Sequence, residues 1–145
     1  MGKRVKPKSS DSFESEVRRR FATLAERWGL EGPEEDGVVL PTVRYRIDRL
    51  AYTWMLNDED RLLSVDVSMV VTGGILSIDV DDLVAEAGLG NRQQVRSSAQ
   101  TWHALQQSIA SHVQWLEKVH PMLTGSQAER FLEQAGARRF TPDLD

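Results

Sequence analysis

Between Thr42 and Val80 the chain alternates apolar and polar residues, and this period constrains the fold more than any other feature. Leu50, Tyr52 and Trp54 form one set. Leu63, Val65, Val67, Met69 and Val71 form a second, and Leu76, Ile78 and Val80 a third. Successive side chains of a strand point to opposite faces, so a period of two marks strands with one buried face. The sets are separated by "NDED" and "GG", both turn-forming, which predicts a three-stranded antiparallel meander. Val43, Tyr45 and Ile47 have the opposite parity to Leu50. The chain must therefore bulge, bend or change neighbour near Asp48 and Arg49, and a fourth strand results if the segment 42–48 pairs separately.

Parity also predicts a register. A two-residue turn at Gly73 and Gly74 sets Met69 opposite Ile78 and Val67 opposite Val80, with both glycines supplying positive φ. A four-residue loop at Asn57–Asp60 sets Trp54 opposite Leu63 and Leu50 opposite Val67. The other face then carries Ser64, Asp66 and Ser68, with Asp81 opposite Asp66 and Asp79 opposite Ser68, and with Thr53 and Arg49 on the first strand. Directly opposed carboxylates are unfavourable unless water, a cation or an arginine compensates, and Arg49, diagonal to Asp66, is the internal candidate.

Helical periods flank this region. Phe13, Val17, Phe21, Leu24 and Trp28 recur at steps of four and three, with Asp11 and Glu14 spaced as a capping box and Gly29 as a stop. Consecutive Arg18, Arg19 and Arg20 splay around that helix and form no single basic strip. "LEGPEEDGVVLPT" has the composition of a loop. Beyond the meander, Asp81 or Asp82 caps a short helix ended by Gly88. Asn91 and Gln94 open a long helix to His120 with the stripe Val95, Ala99, Trp102, Leu105, Ile109, Val113 and Leu116, ended by Pro121. Ser126 and Glu129 start a last helix reaching Gly136, and "ARRFTPDLD" has no clear signal. The expectation is an α+β domain over 11–140, its N-terminal, long and shorter helices on one face of the sheet, with a disordered basic tail at 1–10 and a second tail at 141–145.

Composition narrows function. A chain of 145 residues, 40% hydrophobic, can bury one core. A net charge of −4 gives no overall attraction to nucleic acid. With no cysteine there is no thiolate nucleophile and no cysteine zinc site, a composition compatible with a reducing cytosol, so a cytoplasmic location is expected. "MGKRVKPKSS" lacks the apolar run of a secretory signal or membrane span. Phosphate-loop, nucleophile-elbow and zinc-protease motifs are absent, and no catalytic residue or cofactor is assigned. His103, His112 and His120, nine and eight residues apart on one helix, do not share a face and cannot ligate one metal from that helix alone.

Two surfaces remain. Asp66, Asp79 and Asp81 are hard oxygen donors that could hold Mg²⁺ for phosphoester hydrolysis, against the simpler reading of a solvated sheet face. Trp115, with Leu105, His112 and Val119 between it and the main stripe, makes the long helix apolar over more than one flank, as contact with another helix, a second subunit or a partner requires. The expected function is a small soluble non-enzymatic protein-binding module, an adaptor, chaperone-like or immunity-type protein. It would work through Arg49, Asp66, Ser68, Asp79 and Asp81 on the sheet or Leu105, His112, Trp115 and Val119 on the helix, with a protein partner or as a homodimer. In outline alone, this architecture is similar to bacterial secretion chaperones and toxin-immunity proteins, which act by binding a protein. The alternative is a metal-dependent hydrolase built on the three aspartates.

Overall fold

The computed structural model describes residues 9–36 and 40–141, with side chains at 13–35 and 40–141, so residues 1–8 of the expected basic tail and 142–145 of the C-terminal tail lie outside the described residues. The first helix already contains residues 9 and 10, expected in the tail, and Asp11, expected as its cap, so it starts earlier than the spacing implied. The order is α1 (Ser9–Trp28), β1 (Glu31–Asp36), β2 (Thr42–Ile47), β3 (Leu50–Asn57), β4 (Leu62–Val71), β5 (Gly74–Asp79), α2 (Val80–Glu86), a 3₁₀ turn (Arg92–Gln94), α3 (Trp102–Thr124), α4 (Ala128–Gln134) and β6 (Arg138–Phe140). The α+β class and the antiparallel sheet are as expected, but the sheet has six strands in the order β1-β2-β3-β4-β5-β6.

Each additional strand has a local cause. The parity change at Asp48 and Arg49 is a two-residue turn: Ile47 pairs with Leu50, Tyr45 with Tyr52 and Val43 with Trp54, so both apolar sets share one face. Asp48 takes φ 52°, a left-handed conformation that aspartate tolerates better than most residues. The segment expected to be a loop holds β1, whose pairing with β2 shifts between Glu31 and Glu34, around Pro33. A proline, four acids and a bulge suit an edge strand, where an N–H can be spared and charges discourage further pairing. At the opposite edge, β6 pairs over three residues with β5.

Both expected registers are corrected by two residues. The β4–β5 turn is Thr72–Gly73, with Val71 opposite Gly74, Met69 opposite Leu76 and Val67 opposite Ile78. Only Gly73 has positive φ, 81°, and Gly74 instead lies so close to the Phe140 carbonyl that a Cβ could not be placed there. Before it, Asn57 pairs with Leu62 around a loop of four residues, Asp58–Arg61. The Asn57 side chain accepts from the Asp60 N–H at 3.0 Å and donates to its carboxylate at 3.1 Å. Moving a loop by one residue shifts the register by two, so every side chain keeps its face while its partner changes.

The helices pack on the face bearing Tyr45, Tyr52, Trp54, Val65, Val67 and Leu76, in one continuous core with Phe13, Val17, Phe21, Ile109, Leu116 and Leu132. Phe21 meets Tyr45 edge-on at 4.9 Å and Trp54 at 5.4 Å, tying α1 to β2 and β3. The long helix is shorter at its start than expected. Gln94 Oε1 accepts the Asn91 N–H at 2.7 Å, but the box supports only the 3₁₀ turn. The chain then runs extended past β4, where the Leu63 N–H reaches the Ser97 carbonyl at 2.7 Å and the Ala99 N–H reaches that of Arg61 at 2.9 Å. Thr101 caps α3, its hydroxyl accepting the Ala104 N–H at 3.0 Å. Pro121 falls inside α3, one turn before its end, so Thr124 and not His120 closes the helix. Val80, expected on a strand, opens α2 with Asp79 as its N-cap residue.

Candidate functional site on the open sheet face

The residues of opposite parity form a second sheet face over which no helix packs among the described residues. Cross-strand pairing sets them in rows. Arg44, Thr53, Asp66 and Asp79 lie side by side across β2 to β5, and Arg46, Ala51, Ser68, Ser77 and Arg138 form the next row, across β2 to β6. Charge therefore runs along the first row from basic at β2 to acidic at β5. Beyond these two rows an apolar one, Val70, Ile75 and Phe140, crosses β4 to β6, with Val70 52% exposed and Phe140 47% exposed.

Asp66 faces Asp79 and not Asp81. Compensation comes from groups other than the expected Arg49. The Ser77 hydroxyl donates to Asp66, and the Arg138 and Arg44 charges favour its ionised form, although burial dominates and pushes its pKa up. Asp79 is pushed up to about 6, first by burial and then by Asp66, Asp81 and Asp82, with Arg138 acting against them. Asp81 and Asp82 lie in the first turn of α2, where the helix dipole favours negative charge. Asp81 Oδ1 accepts the Asp82 N–H at 2.8 Å, and Asp82 pairs with Arg92 at 2.8 Å. Carboxylate oxygens of Asp79, Asp81 and Asp82 come within 4.8 Å of one another, a convergence that includes Asp82 and leaves out Asp66. Beside it lies a cleft of 350 Å³ walled by Ser77, Asp79, Asp82, Arg92 and Arg138.

The remaining predicted surface residues separate. Arg49 sits in the β2–β3 turn, donating to the Val70 carbonyl at 3.2 Å with Glu129 at 3.9 Å, away from Asp66. Leu105, His112 and Val119 are buried in the core, so they present no surface to a partner. His112 Nδ1 lies 2.9 Å from the Ser108 carbonyl, and burial pushes its pKa down. Trp115 is half-buried against this chain: its indole N–H donates to the Gln94 carbonyl at 3.2 Å, and Lys118 Nζ lies 4.5 Å from the ring centre. Most of the second apolar flank of α3 thus packs within the molecule, and only Trp115 among these residues stays partly exposed.

The site also holds residues that the pattern did not single out. Arg44 belongs to a strand of unassigned pairing, and Arg138 to a tail with no periodic signal. Ser77 follows from parity alone once the register is known. A buried polar pair was likewise missed: the Tyr52 hydroxyl lies 2.5 Å from His120 Nδ1, and the imidazole stacks on Trp28 at 3.6 Å with 10° between planes. The alternation marked Tyr52 only as a core residue, and nothing in sequence links it to a histidine 68 positions on.

No family model matches this chain, and neither a curated protein nor a solved structure shows significant similarity to it. Among the described residues no helix is long and apolar enough to cross a membrane.

Proposed function

We propose that this protein is a non-enzymatic protein-binding module and that the open sheet face is its contact surface. The observation that supports this reading is a sheet face without a helix over it, carrying a row graded from Arg44 to Asp79 and, two rows away on one side, the exposed apolar Val70 and Phe140. Polar groups set the orientation of a partner on such a surface, and the apolar row contributes burial. The reading assigns the contact to Arg44, Asp66, Ser68, Asp79, Val70 and Phe140, with Arg49 and the α3 residues outside it. The experiment compares proteins captured from the source cell by the wild type and by Ser68→Arg and Val70→Glu variants of unchanged melting temperature. Loss of the same captured protein with both substitutions supports the assignment. A captured set indifferent to them removes the sheet face as the contact surface.

The convergence of Asp79, Asp81 and Asp82 favours a second reading, a cation site of a metal-dependent hydrolase. A ligand at a hundred times its Kd stabilises the native state by about 2.7 kcal/mol, so millimolar Mg²⁺, Mn²⁺ or Ca²⁺ should raise the melting temperature. An unchanged melting temperature with all three ions eliminates it.

A further inference from the structure

A cleft of 260 Å³ opens beside the β2–β3 turn, between the end of α3 and the start of α4. Its walls combine apolar side chains, Leu50, Met69 and Leu123 among them, with the polar side chains of Asp48, Arg49, His120 and Thr124. His120 is only 7% exposed, and its environment determines where its proton sits. Burial pushes the imidazole down to about 4, so the ring is neutral and carries one N–H. Tyr52 is fully buried and its pKa is pushed up by burial, so its phenol keeps its proton. The Tyr52 hydroxyl has no acceptor other than His120 among the described residues, and leaving a buried hydroxyl hydrogen unpaired is costly. Tyr52 therefore donates to Nδ1, and the imidazole proton resides on Nε2. That nitrogen has no acceptor among the described residues, and the histidine is part of the cleft wall.

We infer that this cleft binds a small carboxylic acid with an apolar body, whose oxygen accepts from His120 Nε2–H and whose charge is favoured by Arg49 against the Asp48 carboxylate of the same wall. The Arg49 side chain is more than half exposed and keeps free donors beyond its bond to Val70. Its contact with Glu129 at 3.9 Å is exposed and hence weak, so an incoming carboxylate can compete for it. The volume lies below the ~300–1,000 Å³ of ordinary ligand pockets, which restricts the acid to a single ring or a short alkyl chain. The site is independent of the open sheet face.

The test uses the full chain with ¹⁵N-labelled histidine, benzoate and hexanoate as probes, and benzyl alcohol as the uncharged comparator. Before addition, His120 should show a protonated Nε2 and a bare Nδ1. Either acid should then shift its ring nitrogens saturably, with a millimolar Kd and no matching shift at His103 or His112. Arg49→Gln should weaken benzoate by about threefold while leaving benzyl alcohol unchanged, and Glu129→Gln should tighten benzoate. Tyr52→Phe/His120→Phe removes donor and acceptor together, so no buried group is orphaned, and should weaken benzoate by about tenfold in ligand-observed spectra. A proton on Nδ1, the absence of a saturable shift at tens of millimolar acid, or equal affinity in the Arg49→Gln protein would overturn the assignment.

Discussion

Asp79 is a charge that the fold holds at a cost, and removing that charge should stabilise the protein. It sits opposite Asp66 with Asp81 and Asp82 nearby, and burial with these carboxylates pushes its pKa from 3.8 to about 6. At ~1.4 kcal/mol per pH unit the displacement corresponds to ~3 kcal/mol for a group shielded from solvent. Asp79 is only partly buried, so screening reduces the expected effect to about 1–2 kcal/mol. The folded state binds the proton more tightly than the unfolded state. The group's favourable contribution is therefore fully present below 3.8 and lost as pH rises through about 6. Asp79→Asn keeps the size and a side chain suited to the N-cap of α2 while removing the charge. In urea unfolding followed by tryptophan fluorescence, the variant should be more stable than the wild type by about 1–2 kcal/mol near neutral pH and equal to it near pH 4. A variant that is less stable at neutral pH, or whose advantage is the same at both pH values, would refute the claim that charge repulsion and desolvation dominate at this position.

His120 should act in the opposite direction. Its folded-state pKa is pushed from 6.5 down to about 4, so its contribution is present above 6.5 and lost as pH falls towards 4. The Tyr52→Phe/His120→Phe protein should lose up to about 3 kcal/mol less stability than the wild type over that interval, measured by the same unfolding series. Thr101→Ala removes the cap of α3 and should cost about 1 kcal/mol, whereas Gln94→Ala, which supports only a 3₁₀ turn, should cost less; chemical denaturation ranks the two. Gly74→Ala drives a Cβ against the Phe140 carbonyl and should release β6, with faster amide exchange along Arg138–Phe140 and little change at β3–β4.

The share of the fold that could be read directly is the share written in local periods. Alternation placed β3, β4 and β5 and sorted Asp66, Ser68 and Asp79 from Val65, Val67 and Ile78 onto opposite faces, because a pleated strand obliges neighbours to point apart. The same rule held through both register corrections, since a loop displaced by one residue changes partners by two and leaves the faces intact. Strands β1 and β6 were illegible for a related reason. Both are short or polar edge strands, and pairing with a neighbour, not an apolar pattern of their own, makes them strands.

By itself, the sequence determined the α+β class, the buried stripe of α1 and an uncovered face bearing carboxylates. Only the tertiary structure decided which carboxylates meet. The choice between Asp79 and Asp81 as the neighbour of Asp66 rests on whether the turn is centred on Thr72 and Gly73 or on the two glycines, and contact with β6 reserves Gly74 for the strand. It also decided that Trp115 packs on Gln94 and that Tyr52 meets His120 across the core. Local periodicity states which way a side chain points from its own backbone. What it meets there depends on segments distant in sequence, and those meetings arise only when the chain closes on itself.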